Sequence, residues 1–307
     1  MQQLYQRCSS HHKTQGDSQS FFERIKLDHE TIAILFPTKS RPERVRAMIN
    51  SCLSKADFPE QIRFVSFIDY GDFKSIPSDM TDKIEIIQGN KIWLSLMYNT
   101  LAAIHQAEIY MYAADDIVFK TSGWDTQVKE SFKSLPEGFG LVFANDLSTY
   151  KGQIATHGFV KKIWIDTLGY LLPPYFVDTH TDLWITNLAR DLGVVRFLPD
   201  VKIEHAHYRQ GKAEVDETYI ARLHSTITRR ASDTQEKLKV EFRTHLVIAA
   251  LKHNLAIPTQ ATYMLGTLIE RFFPNKFGPA ERIKLLSTGN LKILKLFIKR
   301  GWRRGKD

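Results

Sequence analysis

The sequence has almost no cysteine. Two thiols in 307 residues, Cys8 and Cys52, without C-x-x-C spacing, exclude a disulfide framework and a structural zinc site and fit a reducing compartment. Long apolar runs are missing as well. No stretch approaches the roughly 18 residues needed to span a bilayer, and residues 1–28 hold no apolar signal-peptide core. The expectation is a cytoplasmic chain, neither secreted by that route nor transmembrane. The glycines form neither a Walker loop nor a dinucleotide fingerprint. Zinc-finger, basic-zipper and RNA-binding aromatic signatures are also lacking, so the net charge of +8 and pI near 9.3 do not make this a nucleic-acid binder. No internal repeat is visible.

What remains is ordinary globular composition, 43% hydrophobic and 25% charged, enough for one large domain with an appendage. Residues 1–28 are rich in Gln, Ser, His and Lys without periodicity and read as a polar tail. From Thr31 short apolar strands alternate with helical patterns. Strands are expected at Ile32–Phe36, Ile62–Ile68, Ile84–Ile87, Ile109–Ala114, Gly140–Ala144, around His157–Val160, Val194–Leu198 and Val201–His207. Helices are expected at Arg44–Lys55, Trp93–Gln106, Trp124–Leu135, Trp164–Tyr170 and about Thr181–Leu192. Strands this short and this apolar predict an α/β fold, a mostly parallel sheet with helices on both faces. After Asp216 strand patterns stop, and residues 217–256, 259–273 and 279–300 read as helices. The division is therefore a tail at 1–28, a catalytic domain at 29–220 and a helical region at 221–307.

The chemistry concentrates where strands end. Asp115 and Asp116 close the apolar run Ile109–Ala114, and the carboxyl edge of an open α/β sheet is where ligands bind. Two adjacent carboxylates repel, and a hard divalent ion, Mn2+ or Mg2+, shared with substrate phosphates relieves the repulsion. A solvated loop or helix cap is the plainer reading of such a pair. Asp69 ends the second strand, placed either to accept hydrogen bonds from a nucleobase or ribose or simply to stabilise a turn. Pro37-Thr38-Lys39-Ser40-Arg41-Pro42 leaves the first strand with hydroxyls and two cations, suited to nucleotide contacts or to a rigid turn. Period-two alternation puts Val201, Ile203, His205 and His207 on one strand face, so two imidazoles extend an apolar face toward a strand end. Thr181 is placed to cap the helix that follows, with Asp182 in its first turn as a candidate base.

In order, these residues resemble the GT-A glycosyltransferases, in the family-2-like branch of nucleotide-diphosphosugar transferases found in bacteria and phage. The matching pieces are Phe36-Pro37-Thr38 with Arg41-Pro42, Asp69, Ala114-Asp115-Asp116, Gly123-Trp124-Asp125 and Thr181-Asp182-Leu183-Trp184. Glu204-His205-Ala206-His207, Gly211-Lys212 and Asp216-Glu217-Thr218-Tyr219 complete the set over residues 31–220. The resemblance implies that Pro37, Thr38, Arg41 and Asp69 bind the nucleoside and that Asp115 serves the ribose or the metal shell. It gives Asp116, with His205 or His207, to a divalent ion on the donor diphosphate. Asp182 would deprotonate the acceptor hydroxyl, favouring inversion. One position departs from the family pattern: Ala113 stands where another Asp is frequent.

The last sixteen residues carry Lys292, Lys295, Lys299, Arg300, Arg303, Arg304 and Lys306. On a helix the three lysines at 292, 295 and 299 share a sector of roughly 60°, while Leu291, Ile293, Leu294, Leu296, Phe297 and Ile298 occupy most of the remainder. Such an end suits an anionic inner-leaflet surface, or packs its apolar side on the catalytic domain. The combined expectation is a peripheral-membrane, metal-dependent transferase moving a sugar, UDP-linked by preference, to a hydroxyl of a polysaccharide or lipopolysaccharide glycan. A metal-dependent hydrolase and a catalytically inactive binding module of the same fold are the rivals.

Overall fold

β1 (Ile32–Pro37) is buried along nearly its whole length, which a strand tolerates only when both sheet faces are covered. Parallel partners flank it in the computed structural model, which describes residues 31–150, 152–176, 180–206 and 238–256. β2 (Ile62–Asp69) sets Ile62 opposite Ile32, and β4 (Ile109–Tyr112) sets Ile109 opposite the same residue on the other side. β3 (Ile84–Gly89) adds parallel to β2. Parallel neighbours need crossovers; helices supply those from β1 to β2 and from β3 to β4, and an irregular segment with one short 3-10 turn joins β2 to β3. α1 (Pro42–Lys55) starts with proline in its first turn and buries Val45, Met48, Ile49 and Cys52, the positions its sequence spacing selects. α2 (Leu94–Ile104) buries Tyr98, Leu101 and Ala102.

The second half of the sheet mixes directions. β7 (Gly158–Lys161) runs antiparallel to both β4 and β6 (Leu141–Asn145), while β8 (Val195–His205) is parallel to β6. β5 (Ile117–Phe119) closes the edge antiparallel to β8, giving the order β3-β2-β1-β4-β7-β6-β8-β5. Only β5 and β7 oppose the rest, so the sheet is mostly parallel, as the alternation predicts.

Three details differ from the sequence reading. The strands expected at Val194–Leu198 and Val201–His207 are one strand, described as far as His205, that runs through Pro199. A register shift lets it pass: Ala144 faces Leu198 but Asn145 faces Lys202, so the proline, which has no N–H to give, falls in the irregularity. β5 was not expected because three residues are too few to show a period. Finally, His180 in the left-handed region (φ 71°), not Thr181, occupies the cap position of α5 (Thr181–Asp191).

Gly123-Trp124-Asp125 fastens the start of α3 (Trp124–Lys133) to the end of α1. Gly123 (φ 67°) donates to the Lys55 carbonyl, and a Cβ there would lie 2.8 Å from Asp57 Oδ2. The Trp124 indole donates to the Cys52 carbonyl at 3.1 Å. Fully buried Asp125 accepts the backbone N–H groups of Asp57 and Phe58 at 2.8 and 2.9 Å. α4 (Lys162–Leu168) and α5 are joined by α6 (Lys239–His253), which lies inside the stretch 217–256 read as helical. Its Phe242 meets Trp184 of α5, and its His253 bonds to Thr167 of α4 at 2.8 Å. No helix among the described residues is long and apolar enough to cross a membrane. The tail at 1–28, the helical patterns at 259–300 and the basic terminal stretch lie outside the described residues.

Asp125 thus serves as a structural clasp. Asp125→Ala is expected to cost about 2–4 kcal/mol, the loss of two charge-assisted hydrogen bonds, and Asp125→Asn less, as read from urea denaturation midpoints.

Candidate functional site

Both aspartates at the end of β4 are buried, Asp115 4% and Asp116 6% exposed, which rules out a solvated loop. The turn that carries them is held by its backbone. Ala113 N–H donates to the Leu35 carbonyl at 2.9 Å, and the Tyr98 hydroxyl donates to the Ala113 carbonyl. Ala113 itself is fully buried, so a carboxylate at this departure from the family pattern would sit in the apolar core.

Asp115 is engaged from the β1 side. The Thr38 hydroxyl donates to Oδ2 at 2.8 Å, and the Arg41 guanidinium meets Oδ1 at 3.1 Å. Thr38 is fixed because its N–H continues the ladder to the Phe67 carbonyl. Arg41 is fixed as the residue that caps α1. Burial pushes the Asp115 carboxyl up, Arg41 pulls it down and Asp116 adds to the rise; the net position is above the ordinary carboxylate range.

Asp116 faces the other way. Its Oδ2 is 3.9 Å from Arg44, one helical turn beyond Arg41, and its Oδ1 is 3.3 Å from His205 Nε2. The β5–β8 pairing makes that second contact, since Ile117 stands opposite His205 and Ala206 N–H donates to the Asp116 carbonyl at 2.8 Å. A third donor arrives from β7. His157 lies edge-on to His205 with ring centroids 4.6 Å apart, and Asp116, His157 and His205 each offer a ligand atom within 4.8 Å of the others. A divalent cation with bonds of about 2.0–2.2 Å sets neighbouring ligand atoms about 3 Å apart, so this carboxylate oxygen and these two imidazole nitrogens, within 4.8 Å of one another, could close on one by a small inward shift.

Asp146, at the end of β6, ties the two histidine segments together. Its carbonyl accepts the His205 N–H at 3.1 Å, and its carboxylate accepts the Thr156 hydroxyl at 2.6 Å and the Ser148 N–H at 3.0 Å. Burial raises its carboxyl, but these hydrogen bonds and the nearby His157 outweigh that, leaving it below the ordinary range.

The other sequence candidates sit around this cluster. Asp69, at the end of β2, pairs with Lys39 at 2.9 Å, and this contact raises the lysine pKa. Pro37 is the last residue of β1. Asp182 lies in the first turn of α5, its Oδ1 accepting the Leu183 N–H at 2.8 Å. It is near enough to Tyr112, at the end of β4, to add to the rise that burial imposes on that phenol. His207 lies outside the described residues. The sequence reading missed His157, Arg44 and Asp146 as site residues. Arg44 was findable as one helical turn beyond Arg41; the other two required the direction of β7 and its neighbours.

Among solved structures the chain is similar to S. aureus TarS, with TM-score 0.51 and 12% identity over 82% of this chain and 44% of that one. At this identity the likeness shows a shared fold. The chain thus spans less than half of the TarS chain. Also similar are TarS 1–349 in complex with UDP (TM-score 0.49, 12% identity, 80% of this chain and 72% of that one) and a further transferase. The latter is mannosyltransferase PcManGT from Pyrobaculum calidifontis in complex with GDP-Man and Mn2+ (0.47, 12%, 87% of each chain). No protein-family model and no curated protein sequence matches the chain.

Arg41→Ala leaves a buried carboxylate without its guanidinium and is expected to cost about 3 kcal/mol at pH 7.5. Because Arg41 favours the charged form of Asp115, the loss should shrink as pH falls and the carboxyl takes up a proton. Denaturation curves at pH 7.5 and 4.5 check both parts.

Proposed function

We propose that this chain is a metal-dependent glycosyltransferase that moves a sugar from a nucleoside diphosphate, UDP by preference, to an acceptor hydroxyl. The observation that carries this reading is the meeting of Asp116 and His205 at the carboxyl edge of a glycosyltransferase-type sheet, beside the arginines that open α1. A nucleotide diphosphate needs both features: a cation site and positive side chains next to it. In this reading Pro37, Thr38, Arg41 and Asp69 line the nucleoside side, and Asp115, with both oxygens engaged, fixes Thr38 and Arg41 toward the ribose. Asp116 with His205 holds Mn2+ or Mg2+; when bound, the ion neutralises the charge that collects on the departing diphosphate. His207, two positions after His205 in the sequence, remains the alternative partner.

Asp182 is assigned the base. It takes the acceptor proton while the acceptor oxygen bonds to the anomeric carbon and the bond from that carbon to the diphosphate oxygen breaks. Its charge lies near enough to the Tyr112 phenol to act on it, and Tyr112 is the last residue of β4, which supports the assignment. A single displacement of this kind inverts the anomeric carbon. The acceptor class, a surface polysaccharide or lipopolysaccharide glycan, rests on the family resemblance. The basic terminal stretch supports work at an anionic inner-leaflet surface.

A thermal-shift series with UDP, GDP, CDP and CMP, each with and without Mn2+, tests the donor site. UDP with metal is expected to raise the melting temperature most, and Asp116→Ala to remove that rise; a rise that persists in the variant refutes the metal assignment. Asp182→Asn should keep UDP-dependent stabilisation and lose sugar transfer by about 10²–10⁴-fold, measured as UDP released from a UDP-sugar in the presence of glycan acceptors. Unimpaired release would remove Asp182 from the base role.

A further inference from the structure

Donor atoms select ions, and the cluster at Asp116 contains more nitrogen than a site for a hard cation needs. His157 owes its place to strand direction. β7 runs against β4, with Gly158 opposite Tyr112, so the residue just before β7 arrives at the carboxyl end of β4. Two tethers then fix its segment relative to His205: the Thr156 hydroxyl on the Asp146 carboxylate at 2.6 Å, and the His205 N–H on the Asp146 carbonyl at 3.1 Å. The rings end 4.6 Å apart, edge to face, with Asp116 buried beside them.

We infer that His157 is a third metal-binding side chain beside Asp116 and His205, and that this one-carboxylate, two-imidazole set selects Mn2+ or Co2+ over Mg2+ and Ca2+. The inference rests on the proposed transferase reading for the role of the ion, and on the chain's own residues for its identity. Mg2+ demands oxygen ligands in a near-ideal octahedron and gives up water reluctantly, and Ca2+ takes six to eight oxygens. Imidazole nitrogen favours first-row transition ions, with Co2+ bound more tightly than Mn2+. Among the described residues, one of the three side chains meeting here offers the oxygen that Mg2+ or Ca2+ would use, and the other two offer nitrogen. Asp146 acts as a positioning residue, since it touches both histidine segments without offering an oxygen to the cluster.

The test uses the full chain and metal alone, without nucleotide. Calorimetric titration is expected to show Mn2+ and Co2+ binding at least about tenfold more tightly than Mg2+ or Ca2+, and His157→Gln to weaken Mn2+ by about tenfold or more, with the melting temperature of the metal-free protein unchanged. Electron spin-echo modulation of the Mn2+-loaded wild-type chain should count two coordinated imidazoles, falling to one in His157→Gln and staying at two in His207→Ala. Should His157→Gln fail to fold, the wild-type selectivity and the His207→Ala count still decide. Equal affinity for Mg2+ and Mn2+, a single imidazole in the wild type, a count that falls in His207→Ala, or a folded His157→Gln that binds Mn2+ as before would overturn the inference. Asp116→Ala that still binds Mn2+ at full strength would instead dismiss the cation site itself, and the transferase reading with it.

Discussion

Two neighbouring carboxylates held out of water at the end of one strand dominate this structure, because the surrounding parts answer to their charge. Unpaired, they would repel each other across a medium far less polarisable than water, where charges a few ångströms apart interact by several kcal/mol. The chain divides the compensation. Asp115 is bonded by Thr38 and Arg41 from the β1 side, while Asp116 faces Arg44 on one flank and His205 on the other. The first acid is thereby committed to protein groups, and the second is left beside ligands that a cation can share. Sequence adjacency hides this difference; only the directions of the two side chains reveal it.

Much of the first half was legible because its physics is local. β1 and β4 are apolar throughout and β2 mostly so, since they are covered on both faces, and α1 shows its buried stripe at Val45, Met48, Ile49 and Cys52. The placing of Asp69, Asp115 and Thr38 at one edge follows from parallel strands that share a direction. The second half was harder. β7 and β5 run against the others, and strand direction leaves no mark on composition. His157 read as a residue near the start of a strand and nothing more, since its value depends on which end of β4 that start meets. β5 offers three residues, too few for a period, yet its pairing with β8 carries His205 to Asp116.

Aspartates at helix starts show how one residue type parts into different duties. Asp125 and Asp182 both lie in the first turn of a helix, and both belong to fragments that resemble the same family. Asp125 is fully buried and spends both oxygens on backbone N–H groups of the α1–β2 connection, so its charge is used to hold elements together. Asp182 is only half-buried and accepts the N–H of the next residue within its own helix. A match to a motif therefore identifies position, and burial with the elements each carboxylate ties together tells a clasp between elements from a contact within one helix.

The separation of the ligands along the chain has a further consequence. Thr38 and Arg41 come from the first crossover, Asp116 from the end of β4, His157 from the entrance to β7 and His205 from the end of β8, so the cluster spans residues 38–205 and no single supersecondary unit contains it. Asp146 touches both imidazole segments, through its carbonyl on one side and its carboxylate on the other. Loosening β8 would move His205 and, through the Ala206 N–H on its carbonyl, Asp116 as well, whereas Asp115 is held from β1 and the start of α1. Asp115 is therefore built into the parallel core, while Asp116 and the two imidazoles are only as well placed as the mixed-direction edge that meets them.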